Sequence, residues 1–142
     1  MATKRLKVVE AIATLIRNID GSDDYNSNLY ENVYTDQKYW DELEEFPSVT
    51  VIAGNESREY VGGVQWAYLT ILITIYVRNE KPQREIESIF KDIEILLDAN
   101  NTLTIDSQSV CTDLLLRTLA DDGGILSPQG VGEMTYNVQY NI

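Results

Sequence analysis

Histidine is absent from all 142 residues, which narrows the chemistry open to this chain at once. Without it there is no Ser–His or Cys–His dyad and no zinc site built on imidazole. Cys111 is the single cysteine, so a thiolate zinc site and an intrachain disulfide are also excluded. Free Cys is among the most buried residue types, so Cys111 is expected in the core of a chain suited to a reducing compartment. No Walker loop, dinucleotide fingerprint or nucleophile elbow occurs. One spacing does match a cation site. Asp20, Ser22, Asp24, Asn26, Asn28 and Glu31 fall at positions 1, 3, 5, 7, 9 and 12 of an EF-hand-like loop. Position 6 is Tyr25, where the sharp turn needs glycine, and a strand rather than an exiting helix follows. A solvated acidic loop is the better reading. No catalytic, cofactor or metal residue is assigned, and no cofactor is expected. With 23 acids some carboxylates must lie close, so a carboxylate-based or metal-dependent enzyme stands as an alternative that no particular site supports.

The acids are unevenly spread. Residues 1–19 carry +3, residues 20–45 carry −8 and the remainder −7, for a net −12. Such a surface repels a phosphate backbone, so specific nucleic-acid binding is not expected. Its ordinary meaning is solubility. Its sharper meaning is a surface that faces DNA without gripping it, carried by Asp20, Asp23, Asp24, Asp41, Glu42, Glu44 and Glu45. No signal peptide is visible, because Met1 to Arg5 is followed by an amphipathic rather than an apolar segment. No membrane partner is expected: the longest apolar stretch is short and β-branched.

That stretch, residues 66–77, is the longest strand the sequence predicts. Side chains alternate along a strand. Leu69, Ile71, Ile73, Ile75 and Val77 make one face, fit to lie under helices. Trp66, Tyr68, Thr70, Leu72, Thr74 and Tyr76 make the other, half-polar and suited to a partner protein or a wet cavity. At about 3.3 Å per residue the strand runs roughly 40 Å, beyond what a small core requires. Trp66 and Trp40 each read first as a lid on the core and second as an interface anchor. Trp66, Tyr68, Thr70, Thr74 and Tyr76 are the candidate oligomer interface.

Around this strand the pattern is α, β-β-β, α, β-β-β. Leu6, Val9, Ile12, Ala13, Ile16 and Ile19 recur at helical spacing behind Thr3 as N-cap, with Asp20-Gly21 as the stop. Asn28 to Thr35 reads as a short Tyr-rich strand and Ser48 to Ala53 as a second. Gly54 to Gly63, with glycines at its ends, reads as a turn or arm. Pro82 opens a helix with the stripe Ile86, Ile89, Phe90, Ile93, Leu96 and Leu97. Leu103 and Ile105 suggest a short strand and Val110 to Leu119 a longer one. Asp121 to Gly132 reads as a glycine-rich loop, and Met134 to Tyr140 as the last strand. The expected fold is α+β: one domain over residues 1–142, an antiparallel-rich mixed sheet with two amphipathic helices on one face and an extended β-arm.

The ordered set of motifs resembles the tail terminator proteins of long non-contractile-tailed phages, also called tail-completion or tail-to-head joining proteins. The signals are Asp20-Gly21, Asn28-Leu29-Tyr30-Glu31-Asn32-Val33, Phe46-Pro47, Gly54-Asn55-Glu56, Gln65-Trp66, Asp92-Ile93-Glu94, and Asp122-Gly123-Gly124 through Pro128-Gln129-Gly130 to Glu133. The resemblance runs from about Leu6 to Tyr140. It implies a structural protein of the virion tail, assembled in the bacterial host cytoplasm as a homohexameric ring at the head-proximal end of the tail tube. That ring stops tube polymerisation and docks the head-completion (neck) protein. Implied partners are a copy of itself, the tail tube protein and the neck protein, with the tape measure protein as a further candidate, while DNA passes the lumen without specific binding. Asn55, Glu56, Arg58, Glu59, Tyr60, Asp121, Asp122 and Pro128 are the expected tube or neck contacts. Another head–neck or tail structural component is the nearest alternative.

Overall fold

In the computed structural model, residues 3–22, 25–38, 42–105, 108–109, 111–124 and 128–141 are described. Apolar residues at helical spacing form α1, Lys4–Ile16, and α2, Pro82–Asp98. Thr3 caps α1, its hydroxyl accepting from Leu6 N at 3.1 Å, and Pro82 opens α2 where its missing N–H costs nothing. The strands are β1 (Val33–Tyr34), β2 (Ser48–Val61), β3 (Val64–Arg78), β4 (Thr104–Ile105), β5 (Gln108–Ser109), β6 (Asp113–Asp121) and β7 (Gln129–Asn141). A five-stranded sheet has the order β1-β2-β3-β7-β6, with β1 parallel to β2 and every other pair antiparallel; β4 and β5 form a separate ribbon.

The alternation in β3 is met by burial. Ala67, Leu69, Ile71, Ile73, Ile75 and Val77 are fully buried, and both helices lie on that side. Each Leu, Ile or Val among them contributes about 1.5–3 kcal/mol of transfer free energy. Val49 and Val51 from β2 and Met134, Tyr136 and Val138 from β7 complete the sheet's share of the core. Helix α1 adds Val8, Ile12 and Ile16, whereas Leu6 of the expected stripe is 44% exposed.

Of three sequence expectations, the first is narrowed to its arm alternative and two are corrected. Residues 54–61 are not a turn: they continue β2, and Gly54-Asn55 is a β-bulge between the Ala53 and Glu56 registers. The turn is Gly62-Gly63, with φ of +59° and +80°, the left-handed pair that a two-residue hairpin requires. Next, the expected strand over 28–35 shrinks to Val33–Tyr34, because Tyr30 and Glu31 take φ of +50° and +63° and break it. Last, the loop expected to reach Gly132 ends at Pro128. Gly130 and Gly132 lie inside β7, where a Cβ would come within 2.8 Å of Pro82 Cβ and 2.6 Å of Ile86 Cγ2. Their glycine content reflects the close approach of α2, not a turn.

Candidate interaction surfaces

The face of β3 turned away from the helices carries Trp66, Tyr68, Thr70, Leu72 and Thr74, all half-exposed. Register extends this surface sideways. Gln139, Asn137 and Thr135 of β7 lie opposite Tyr68, Thr70 and Leu72, and beyond them Leu115 of β6 stands 51% exposed opposite Asn137. Tyr76 behaves differently: it is buried by the chain itself, its hydroxyl donating to Lys38 O at 3.1 Å. Ser48, Thr50 and Leu43 are buried in the same region, and the Ser48 hydroxyl donates to Glu45 O. The segment before β2 therefore closes one end of the open face, and the free surface runs from Trp66 to Thr74.

The acidic segment divides. Asp20 is exposed, and Ser22 N donating to its Oδ1 at 3.1 Å holds its carboxyl below the usual range. Glu42, Glu44 and Glu45 are exposed beside the closed end of the sheet. Asp23, Asp24, Trp40 and Asp41 lie outside the described residues. The EF-hand-like spacing serves another purpose where it is described. Asn28 Oδ1 accepts from Tyr30 N at 2.8 Å, and Asn26 donates to Asp92 on α2 from its backbone at 3.0 Å and its side-chain amide at 3.1 Å. The Ser27 hydroxyl also donates to Asp92, which is only 3% exposed. A buried carboxylate thus pins the loop to α2. Sequence reading treated Asp92 as part of a motif without seeing this role, whose one signal is an acid at a core position of an amphipathic helix. No group of acidic or Cys side chains able to hold a metal forms among the described residues.

The arm leaves the sheet at one end. Trp66 still pairs with Asn141, but Gln65 and Val64 pair only with Tyr60 and Val61 among the described residues. Tyr60 is 73% exposed and Val61 51%. Asn55 sits exposed on the bulge, and Glu59 is exposed farther out. Glu56 turns inward: its side chain is 6% exposed, takes the Arg58 Nε–H at 2.9 Å and accepts the Tyr140 hydroxyl. Arg5 donates to Gly54 O at 2.7 Å and Lys4 to Asn141 O, so the start of α1 ties down the root of the arm. At the opposite end, exposed Asp121 accepts from Gly123 N at 2.8 Å and Asp122 from Gly124 N at 3.3 Å, while Pro128, also exposed, accepts from Asn79 N at 3.0 Å. Arm and loop therefore stand at the two ends of a 15-residue strand, roughly 45–50 Å apart.

Residues 2–142 match the family described as bacteriophage tail tube terminator protein. The tail tube terminator protein p142 of Escherichia phage T5 is 30% identical over 149 aligned positions, covering 96% of this chain and 92% of that protein. Among solved structures, a chain of the virion of a native gene transfer agent particle superposes with a TM-score of 0.51 at 10% identity, over 97% of this chain and 90% of that one, a likeness of fold alone.

Proposed function

Because this chain belongs to the bacteriophage tail tube terminator family, we propose that it closes the head-proximal end of the tail tube as a six-copy ring, halting subunit addition and offering its outer face to the neck protein. The match along the whole chain carries this reading. It is a structural tail component by family, and the surfaces above suit the task. A half-polar sheet face carrying Trp66, Tyr68, Thr70, Thr74 and Thr135 fits either a subunit contact or a wet lumen. A ring of six carries six times −12, or −72, so duplex DNA slides past acids such as Glu42, Glu44 and Glu45 without adhering. Asp20, Asp23, Asp24 and Asp41 belong to the same acidic segment.

A cap must bind a finished tube end while presenting a different surface outward, which requires two unlike faces. The arm at one end of β3 and the 121–128 loop at the other supply them. Trimming the arm tests this. Replacing Tyr60–Gln65 by Asn-Gly keeps the Glu59–Trp66 pair and rejoins β2 to β3 through a two-residue hairpin. In an infection lacking the native gene, the trimmed protein is expected to fold yet give overlong or headless tails. Wild-type tail lengths and normal head attachment would remove the arm from capping. Negative-stain images of the purified protein test the ring: annular particles are expected, and uniform monomers at high concentration even with tubes present would overturn it.

A further inference from the structure

Where β3 stops and α2 begins, an open groove of about 560 Å³ lies between the 26–30 loop, Phe46-Pro47 and the segment from Arg78 to Ser88. Arg78, Lys81 and Arg84, three of only 11 basic residues in the chain, line it against one carboxylate, Glu85. The Arg78 guanidinium lies over the Phe46 ring, 4.5 Å from its centroid. Lys81 and Arg84 are exposed, and neither forms an ion pair among the described residues. Glu85 is held by the Asn79 side-chain amide. In a molecule of net charge −12 this groove concentrates uncompensated positive charge.

A second observation concerns its rim. Tyr30 is 65% exposed there with a left-handed φ of +50°, followed by Glu31 at +63°. Two successive non-glycine residues in that region cost about 1–2 kcal/mol each. The loop is held in this shape by Asn28 Oδ1 on Tyr30 N and, beneath, by buried Asp92 on Asn26 and Ser27. An exposed Tyr on a braced loop and two arginines, Arg78 and Arg84, are the residue types enriched in protein interfaces, and Lys81 adds positive charge beside them.

We infer that this groove docks a short acidic polypeptide segment of a partner protein, its carboxylates on Lys81 and Arg84 and a side chain against Tyr30 and Phe46. Arg84 suits bidentate contact with carboxylate, and α2 adds an N-terminus without a side-chain cap. A polypeptide fits better than nucleic acid. The favourable field spans no more than about a Debye length of 8–10 Å, and a phosphate chain would continue onto an acidic surface.

The test is fluorescence anisotropy with full-length protein and a short labelled peptide of alternating Glu and Ser around one Tyr. The same peptide with Gln for Glu, and an oligothymidylate of similar length, serve as comparisons. Binding of the Glu peptide is expected to weaken about tenfold in the Lys81→Glu/Arg84→Glu protein and severalfold in Tyr30→Ala, while Arg84→Lys, which keeps the charge but not the fork, weakens it less than charge reversal does. It should also weaken as salt rises from about 50 to about 200 mM. Circular dichroism and urea midpoints confirm that the variants fold. Equal binding of the Glu and Gln peptides, indifference to charge reversal, preference for the oligonucleotide, or no binding up to about 1 mM would each overturn the inference.

Discussion

Cys111 shows how burial disposes of a reactive group. It is 5% exposed, and burial, with the Asp113 charge adding to it, pushes its thiol up to about 12. At neutral pH its thiolate fraction is of order 10⁻⁵, so an aromatic disulfide reagent should label the native protein only as fast as the protein opens. Rapid stoichiometric labelling of native protein would place the thiol at the surface. The Tyr136 hydroxyl is buried without a hydrogen-bond partner among the described residues, and burial, then the charges of Asp98 and Glu94, hold its pKa above the usual value. Removing an orphaned polar group costs little. Tyr136→Phe is therefore expected to be neutral or stabilising by up to about 1 kcal/mol in urea unfolding, and a clear loss would mean that the hydroxyl has a partner. Asp92 is the opposite case, a buried acid that accepts from the Asn26 backbone and side-chain amides and from the Ser27 hydroxyl. Asp92→Ala strands the Asn26 N–H and the Ser27 hydroxyl and should cost about 2–4 kcal/mol, whereas a shift below about 0.5 kcal/mol would show the loop to be held elsewhere. Cys111 was legible because one rule decides it. Asp92 was not, because its partners lie 65 and 66 residues away in sequence.

At the level of elements, what the sequence revealed depends on whether a pattern is local. Period two over 66–77 and the helical stripe of 86–97 are local, and both gave the correct element and the correct buried face. Glycine is read locally as punctuation, and here that misleads. Gly54 marks a bulge inside a longer strand, and Gly130 and Gly132 admit Pro82, Ile86 and Phe90 from another element. Gly132→Ala puts a methyl 2.6 Å from Ile86 Cγ2 and should cost about 1–3 kcal/mol by overpacking, with the thermal midpoint lowered. An unchanged midpoint would show that α2 shifts freely on the sheet. The half-polar face was legible as a face but not in its extent, because the segment that buries Tyr76 joins it only in three dimensions. Within the free part, Tyr68→Glu places a charge in the surface proposed to meet a neighbour. The monomer should keep its fold while the oligomer weakens by a few kcal/mol, read by light scattering; an unchanged oligomer would show that copies meet elsewhere.

Across the whole molecule, charge sets two salt dependences of opposite sign. In the proposed ring, copies carrying −12 each repel as they meet, and the −8 of residues 20–45, six times over, gives −48 within one segment type. Arg58–Glu56 is an ion pair within one copy, and Lys81 and Arg84, without an ion pair among the described residues, sit in the groove at the start of α2, not on the half-polar face. Bringing copies together along that face, which Glu133 opposite Thr74 and Asp113 opposite Gln139 also border, would thus add repulsion to a contact otherwise polar and aromatic. Added salt screens repulsion over about 8–10 Å at physiological strength. Ring formation, followed by sedimentation from about 20 to about 500 mM salt, should therefore be favoured as salt rises. Binding of an acidic segment in the groove is a contact between opposite charges and should weaken over the same range. A ring that comes apart with added salt would mean that ion pairs hold the copies together, which would move the interface from the half-polar face of β3 to the charged ends of the strand.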